Sequence, residues 1–469
     1  MTQTRRTFLT AAAGTSLLAQ PRAGRRPPNI VHIMADDLGY SDVGCYGQKH
    51  IRTPHVDRLA AEGMRFTDAY AGCTVCAPSR SVLMTGMHMG HTSVRSNPGG
   101  VPLVEQDRTI GEMLKTAGYA TGCFGKWGLG DIGTPGVPWK QGFDEFFGYL
   151  HQVHAHFFYP KILYHNDRRY PLAGNEGGKR TTYSHDVIAE KALEFIRRNK
   201  DRPFYCYAPF TIPHWELLVP EDSMKEYRGR FPEQHFARGH YAPTDEPHAA
   251  YAGMITRLDR DVGRIAALLK SLGLEDDTLI IFTSDNGGAM RLAGDDFFRS
   301  YGPFRGSKQD FYEGGIRVPF VARWPGRIRA GSESAHPFAF YDLMATFAEL
   351  TGTEPTRGHD GISILPTLLG EGRRQRVHEF LYWELPRHNG KTGKFFRETP
   401  PQAVRMGEWK AVRPKPNGPL ELYNLKSDIA ETTDVAEKDP KVMARIEEYL
   451  KTARTEPRPQ TMPPQTWDQ

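Results

Sequence analysis

Two acidic pairs mark where this chain could do chemistry. Asp36-Asp37 follows an apolar run over Asn29–Ala35, and Asp285-Asn286 follows another over Thr278–Ser284. All four side chains offer oxygen donors, so a cation shared between them is hard, Ca2+ or Mg2+, and not zinc. Taken singly, each pair also reads as a helix cap or a turn. Cys76-Ala77-Pro78-Ser79-Arg80, continued by Ser81-Val82-Leu83-Met84-Thr85-Gly86, places an arginine four residues beyond a cysteine. That is about one helical turn, so Arg80 is expected to point back at residue 76. Cys73-Thr74-Val75-Cys76 also satisfies the C-x-x-C redox pattern, but that pattern leaves the Pro-Ser-Arg behind it unexplained. His214, between Pro213 and Trp215, carries a group whose ordinary pKa lies near neutrality, and its alternative is a satisfied core histidine. His151, His154 and His156 are spaced H-x-x-H-x-H, which suggests a metal, but an extended segment would turn His151 away from the other two.

The elements that must position these residues alternate. The two apolar runs read as buried strands, each ending on its acidic pair. Thr53-Pro54 starts a helix, and Thr109-Ile110-Gly111-Glu112 is a capping box opening another, which closes at Gly118 before a strand over residues 119–124. A helix over Ser184–Arg198 precedes a strand over residues 203–208, and a long apolar-periodic helix over 249–272 precedes the run at 278–284. This alternation predicts an α/β fold, a large and mostly parallel sheet with helices on both faces. Chemistry in such sheets collects beyond the carboxyl ends of the strands, where both acidic pairs fall. After Gly370 the pattern changes to strands over 379–383, 402–413 and 420–425 and an amphipathic helix over 440–453, the pattern of a smaller antiparallel sheet with one helix. The expected organisation is a leader over 1–26, a catalytic domain over 27–372, a small subdomain over 373–456 and a loose Pro-rich tail over 457–469.

The formal charge of +5 equals the five arginines Arg5, Arg6, Arg22, Arg25 and Arg26, which lie together without an acidic neighbour. With that segment removed no bulk charge remains, so neither a nucleic acid nor a membrane surface is implied. No run is long enough to span a bilayer. Thr4-Arg5-Arg6-Thr7-Phe8-Leu9 and the weakly apolar stretch behind it resemble a twin-arginine export signal, which implies twin-arginine export machinery and a periplasmic or secreted protein. Export after folding in a reducing cytosol favours free thiols at Cys45, Cys73, Cys123 and Cys206.

The Cys76 to Gly86 stretch resembles the signature of the formylglycine-dependent sulfatases, of alkaline-phosphatase-like fold. Gly125-Lys126-Trp127, Ile212-Pro213-His214, Arg305-Gly306-Ser307-Lys308, Tyr312-Glu313-Gly314-Gly315 and Asp360-Gly361 with Ser363 and Pro366 continue the resemblance in order. It implies that a maturation enzyme oxidises Cys76 to formylglycine (3-oxoalanine). The hydrated aldehyde attacks sulfur and later expels sulfate by rebuilding the carbonyl. The same resemblance makes Asp36, Asp37, Asp285, Asn286 and residue 76 the ligands of a Ca2+ or Mg2+ ion. Lys126, Lys308 and Arg80 then surround the sulfate, and His214 gives a proton to the leaving alcohol.

One departure matters: the family's G-K-W-H-L-G is here Gly125-Lys126-Trp127-Gly128-Leu129-Gly130, so the histidine that assists sulfate elimination is missing. His151, His154 and His156 are candidates to replace it or to read the substrate. Residues 148–170 mix these histidines with Phe157, Phe158, Tyr159, Tyr164, Asn166, Asp167 and Arg168, side chains that suit a sugar. Ala155-His156-Phe157-Phe158-Tyr159-Pro160 is similar to a segment of some carbohydrate sulfatases. His154, His156, Lys126 and Lys308 are therefore the expected substrate contacts. The expected activity is hydrolysis of sulfate monoesters of a saccharide. The alternatives are a phosphoester or phosphonate monoester hydrolase of the same superfamily and a catalytically silent sulfated-glycan binder.

Overall fold

The computed structural model describes residues 26–462 and Trp467; apart from Arg26, the export segment read from the sequence lies outside these residues. Five strands, Thr278–Ser284, Asn29–Ala35, Phe204–Pro209, Ala120–Lys126 and Glu145–Tyr149, lie side by side in that order and run parallel. Further strands extend the sheet on both sides to ten among the described residues, Phe320–Arg323 joining Thr278–Ser284 and Ile162–His165 joining Glu145–Tyr149, both antiparallel. The central strands are uniform apolar runs because both faces are covered. Ile30 and Met34 enter a core shared with the helices Cys76–Thr85, Ile110–Thr116 and Asp342–Thr351. Val31 and Ile33 enter the opposite core, under Ser184–Arg198 and Pro247–Ser271. The capping box forms as read, Glu112 N–H donating to Thr109 Oγ1 at 3.2 Å and Thr109 N–H to Glu112 Oε2 at 2.9 Å.

The strands Leu381–Glu384, Gln402–Met406, Trp409–Arg413 and Glu421–Asn424 make a second, antiparallel sheet in sequence order. The helix Pro440–Leu450 packs on it through Ile446, against Tyr382, Val404 and Leu422. The fold is the α/β arrangement expected. Buried charge joins the two sheets: Lys410 Nζ meets Glu313 Oε1 at 2.8 Å and Glu431 Oε1 at 2.9 Å, all three side chains being fully buried.

The described part of the C-terminal tail is not loose. The Gln460 side chain accepts from Arg95 N–H at 3.1 Å and donates to Ser93 O at 2.9 Å, and Trp467 lies buried against residues 151–157. The tail's composition suggested an unanchored end, but these contacts bind it to the catalytic sheet's side of the molecule. Among the described residues no helix is long and apolar enough to cross a membrane.

Candidate active site

Four neighbouring parallel strands end on, or just before, the residues singled out above. Asn29–Ala35 is followed by Asp36 and Asp37, Thr278–Ser284 by Asp285 and Asn286, and Ala120–Lys126 ends on Lys126 itself. Phe204–Pro209 leads within five residues to His214. Ala35 pairs with Ser284, so the acidic pairs are adjacent, and Asp285 N–H donates to Ala35 O at 3.1 Å. Successive residues of a strand face opposite ways. Asp37 escapes that rule by adopting φ 63°, a left-handed conformation that aspartate tolerates better than most residues. Both carboxylates consequently face Cys76, whose Sγ lies 3.4 Å from Asp36 Oδ1 and 3.7 Å from Asp37 Oδ1.

Cys76 is the first residue of the helix Cys76–Thr85, and Pro78 sits in the first turn, where no backbone donor is needed. The helix dipole makes this end favourable for an anion. Lys308 arrives from the loop before the short helix Glu313–Ile316, its N–H donating to Gly288 O at 3.1 Å. Its Nζ lies 2.7 Å from Asp37 Oδ2 and 3.4 Å from Cys76 Sγ. Gly315 lets this loop close: a Cβ there would stand 2.0 Å from Asp310 O. Lys126 Nζ is 2.7 Å from Asp36 Oδ2. Arg80 lies among the same acidic residues, its Nη2 3.6 Å from Asp36 Oδ1. Its fork grips Asp285 Oδ2 through Nε at 3.1 Å and Nη2 at 2.7 Å, with Nη1 on Lys126 O at 2.6 Å. A guanidinium matches a carboxylate in shape and charge, so Arg80 braces the acidic cluster and makes no hydrogen bond to Cys76.

The electrostatics are those of a closed, charged pocket. Burial pushes the Asp285 carboxyl above its usual range, and Asp36 adds to this. Against burial, Asp36 keeps the Lys126 ammonium above its ordinary pKa, and Asp37 does the same more strongly for Lys308. Burial lifts the Cys76 thiol well above its ordinary value, although Lys126 and Lys308 oppose it. One atom of each of Asp36, Asp37, Cys76 and His214 lies within 4.8 Å of the others. Asn286 donates to Asp37 Oδ1 at 2.8 Å, while its own Oδ1 is buried without a partner. An orphaned amide oxygen beside three buried carboxylates fits a hard cation.

His214 Nε2 lies 3.3 Å from Asp37 Oδ2 and 3.5 Å from Lys308 Nζ. Burial, then His156 and the two lysines, press its imidazole well below the ordinary range. His156 stacks on His214, centroids 4.3 Å apart, and so belongs to the site. His154 does not. It is fully buried under Trp467, their rings parallel at 4.9 Å, and against Tyr149, and a substrate would have to displace that tryptophan to reach it. The segment is a 3-10 turn, His154–His156, instead of extended backbone, which is why the two histidines face different surroundings. Phe158 and Tyr164 are core side chains, and Asn166 is a turn residue at φ 51° whose Oδ1 accepts from Phe146 N–H.

The place left by the missing histidine is filled. Gly128 sits at φ 75°, and a Cβ on it would lie 1.9 Å from Gln152 Nε2. Gln152 is buried and donates weakly to Gly128 O at 3.4 Å. Sequence reasoning does not single out Gln152, nor His240 and Tyr241, which approach His156 from a distant loop. No motif or periodicity marks any of the three.

The Sulfatase family model matches residues 28–353, and that of the N-sulphoglucosamine sulphohydrolase C-terminal region matches residues 304–457. Arylsulfatase A of Homo sapiens is 35% identical over 428 residues, covering 84% of this chain and 76% of that protein. N-acetylgalactosamine-6-sulfatase of Canis lupus familiaris is 33% identical over 393 residues, covering 77% and 69%. Among solved structures, Ps i-CgsB in complex with k-i-k-neocarrahexaose superposes with a TM-score of 0.76 at 30% identity, covering 92% of this chain and 94% of that one. The chain belongs to the sulfatase family and is a sulfuric ester hydrolase of alkaline-phosphatase-like fold.

Proposed function

We propose that the ester is a sulfated saccharide and that residue 76 acts as formylglycine. A divalent cation, Ca2+ or Mg2+, would be held by Asp36, Asp37, Asp285, Asn286 and residue 76. The observation that carries this reading is the surroundings of Cys76, with two carboxylates and the Lys308 ammonium within 3.7 Å of its sulfur. A cysteine that attacks as thiolate needs a depressed pKa, whereas burial raises this one, so the unmodified thiol is a poor nucleophile here. Formylglycine would supply a hydrated aldehyde as nucleophile, and the cation would supply positive charge beside it. The saccharide is supported by the neocarrahexaose in complex with Ps i-CgsB, the 30% identical relative, and by the aromatic and polar wall around His156.

Lys126 and Lys308 hold the non-bridging oxygens of the sulfate, and Arg80 fixes the orientation of Asp285. His214 faces the bond to the leaving alcohol. An anionic ester beside it opposes the field of the lysines and raises its pKa, which lets the imidazole take a proton from solvent as the substrate binds and pass it to the departing oxygen. Gly128 offers no proton acceptor for the return step. His214, neutral once it has given its proton, has a ring nitrogen within 4.8 Å of the residue 76 side chain and takes that role. Modification of Cys76 before export by the twin-arginine route to the periplasm or beyond completes the reading, on the strength of Arg5-Arg6 and the stretch behind them.

The test is the mass of the tryptic peptide containing residue 76, taken from a preparation assayed for sulfate and phosphate release from matched monoesters. Replacement of CH2SH by CHO, with sulfate released in preference to phosphate, is the expected result. An active preparation bearing only the thiol refutes the formylglycine assignment. A preference for phosphate refutes the sulfate ester, and modified protein idle on both esters would be the glycan binder.

A further inference from the structure

The proton that His214 passes to the leaving alcohol dictates where the rest of that alcohol lies. Its carbon skeleton must stand on the same side as His214, so whatever lines that side reads the substrate beyond its sulfate. Three rings lead from His214 towards solvent. His156 is stacked on His214 at 4.3 Å, and His240 runs parallel to His156 at 5.1 Å with His156 Nδ1 and His240 Nε2 2.9 Å apart. Tyr241 Oη is 3.2 Å from the same His156 Nδ1, and its ring is 5.7 Å from that of His214. Exposure rises along this path: His214 is buried, His156 and Tyr241 are half-buried, and His240 is exposed.

His240 and Tyr241 sit on a hairpin of residues 236–244, closed by Phe236 N–H to Thr244 O at 2.8 Å and Thr244 N–H to Phe236 O at 2.9 Å. The hairpin is tied to the residues just after His214. Ala242 N–H donates to Glu216 Oε2 at 3.0 Å, and the Arg238 guanidinium lies over the Trp215 ring at 4.5 Å. An exposed histidine contributes little to a core, yet this one is held in register with the acid by three separate contacts. Partial burial lowers its pKa, and a neutral imidazole presents one donor and one acceptor. Tyr241 adds a hydroxyl and an aromatic face, and Phe157, 5.4 Å from His240, adds another. Paired hydrogen-bonding nitrogens and hydroxyl beside ring faces suit the hydroxyls and C–H faces of a pyranose.

We propose that His240 and Tyr241 bind the sugar ring that carries the sulfate and so determine which saccharide is accepted. The inference rests on the reading of the substrate as a sulfated saccharide. The test compares kcat and KM of the wild type, His240→Ala, His240→Gln and Tyr241→Phe on a panel of sulfated monosaccharides and on 4-nitrophenyl sulfate. For His240→Ala the loss of kcat/KM on the preferred sugar exceeds that on the aryl ester by about tenfold or more, mostly in KM, and His240→Gln recovers part of it. Tyr241→Phe shifts the order of preference within the panel. Equal losses on both kinds of ester, or none on either, overturn the inference while leaving the saccharide reading intact. A wild type active on the aryl ester and on no sugar overturns both. Should neither turn over, calorimetric binding of the same sugars decides, and equal affinity for wild type and His240→Ala refutes the proposal.

Discussion

Replacing Lys410 by methionine separates the cost of breaking a buried charge from the cost of losing packing. Lys410 is fully buried and touches two glutamates, Glu313 at 2.8 Å and Glu431 at 2.9 Å. Methionine keeps most of the stem and removes the ammonium, leaving two carboxylates out of water. Glu313 retains Arg317 at 2.9 Å and Tyr70 Oη at 2.7 Å, whereas the cation that Glu431 meets is Lys410 itself. Removing one partner of a buried pair costs about 3–5 kcal/mol, or a fall in Tm of roughly 3–5 °C for a chain of this size.

The pH dependence identifies the charge as the cause. Burial, with Glu313 adding and Lys410 opposing, lifts Glu431 to about 7. Its folded pKa is raised, so its contribution is fully present below its unfolded value near 4.3 and is lost as pH rises through about 7. Against burial, Lys410 and then Arg317 hold Glu313 down to about 2, so its contribution is present above its unfolded value and lost as pH falls through about 2. Without Lys410 both carboxyls ionise less readily. The deficit of Lys410→Met is therefore largest near pH 8 and shrinks towards about pH 5, where the glutamates protonate. Urea unfolding of both proteins across that range is the assay. A deficit below about 1 kcal/mol, or one that does not change with pH, would refute the reasoning.

Three further outcomes are expected. Gly128→Ala loses roughly 1–3 kcal/mol, from the left-handed backbone and the contact with Gln152, and adding Gln152→Ala returns the steric part; additive losses in urea melts would show the two are uncoupled. Gln460→Ala lowers the unfolding free energy by about 1–3 kcal/mol by stranding Arg95 N–H and Ser93 O, where an unanchored tail predicts no change. Dialysis against a chelator abolishes sulfate release and lowers Tm. Ca2+ or Mg2+ restores both and Zn2+ does not; a Tm indifferent to all three cations speaks against the oxygen-donor site.

Much of this arrangement is legible because it is written in short stretches. Apolar runs that stop abruptly at Asp36 and Asp285 identify buried parallel strands and their carboxyl ends together. Thr109 and Glu112 announce a helix start by chemistry confined to four residues. What escapes depends on contacts remote in sequence. His154 and His156 are separated in role by a 3-10 turn and by Trp467, neither visible in the spacing. Arg80 does stand one turn beyond Cys76, but its donors go to Asp285, over two hundred residues away. Residues 236–244 mix apolar and polar side chains without periodicity, so nothing local signals that they approach His156 and His214.

Gly128 and Gln152 bear on the chemistry more than either residue does alone. A histidine lost to glycine would ordinarily leave a gap beside residue 76, and the simplest repair would be to put it back. Here the backbone has taken a conformation that disfavours any side chain, and Gln152 occupies the direction in which a Cβ would point. A histidine could return only at the cost of left-handed backbone strain and with the Gln152 amide displaced. The amide of Gln152 cannot exchange a proton near neutrality, so it fills volume without replacing the lost base. In the proposed mechanism the acid–base work consequently falls on His214, the one imidazole in contact with both Asp37 and Lys308 among the described residues. A single histidine that gives a proton to the alcohol and then recovers one from residue 76 needs its pKa to respond to the charge in the site. Its burial between a carboxylate and two ammonium groups provides that sensitivity.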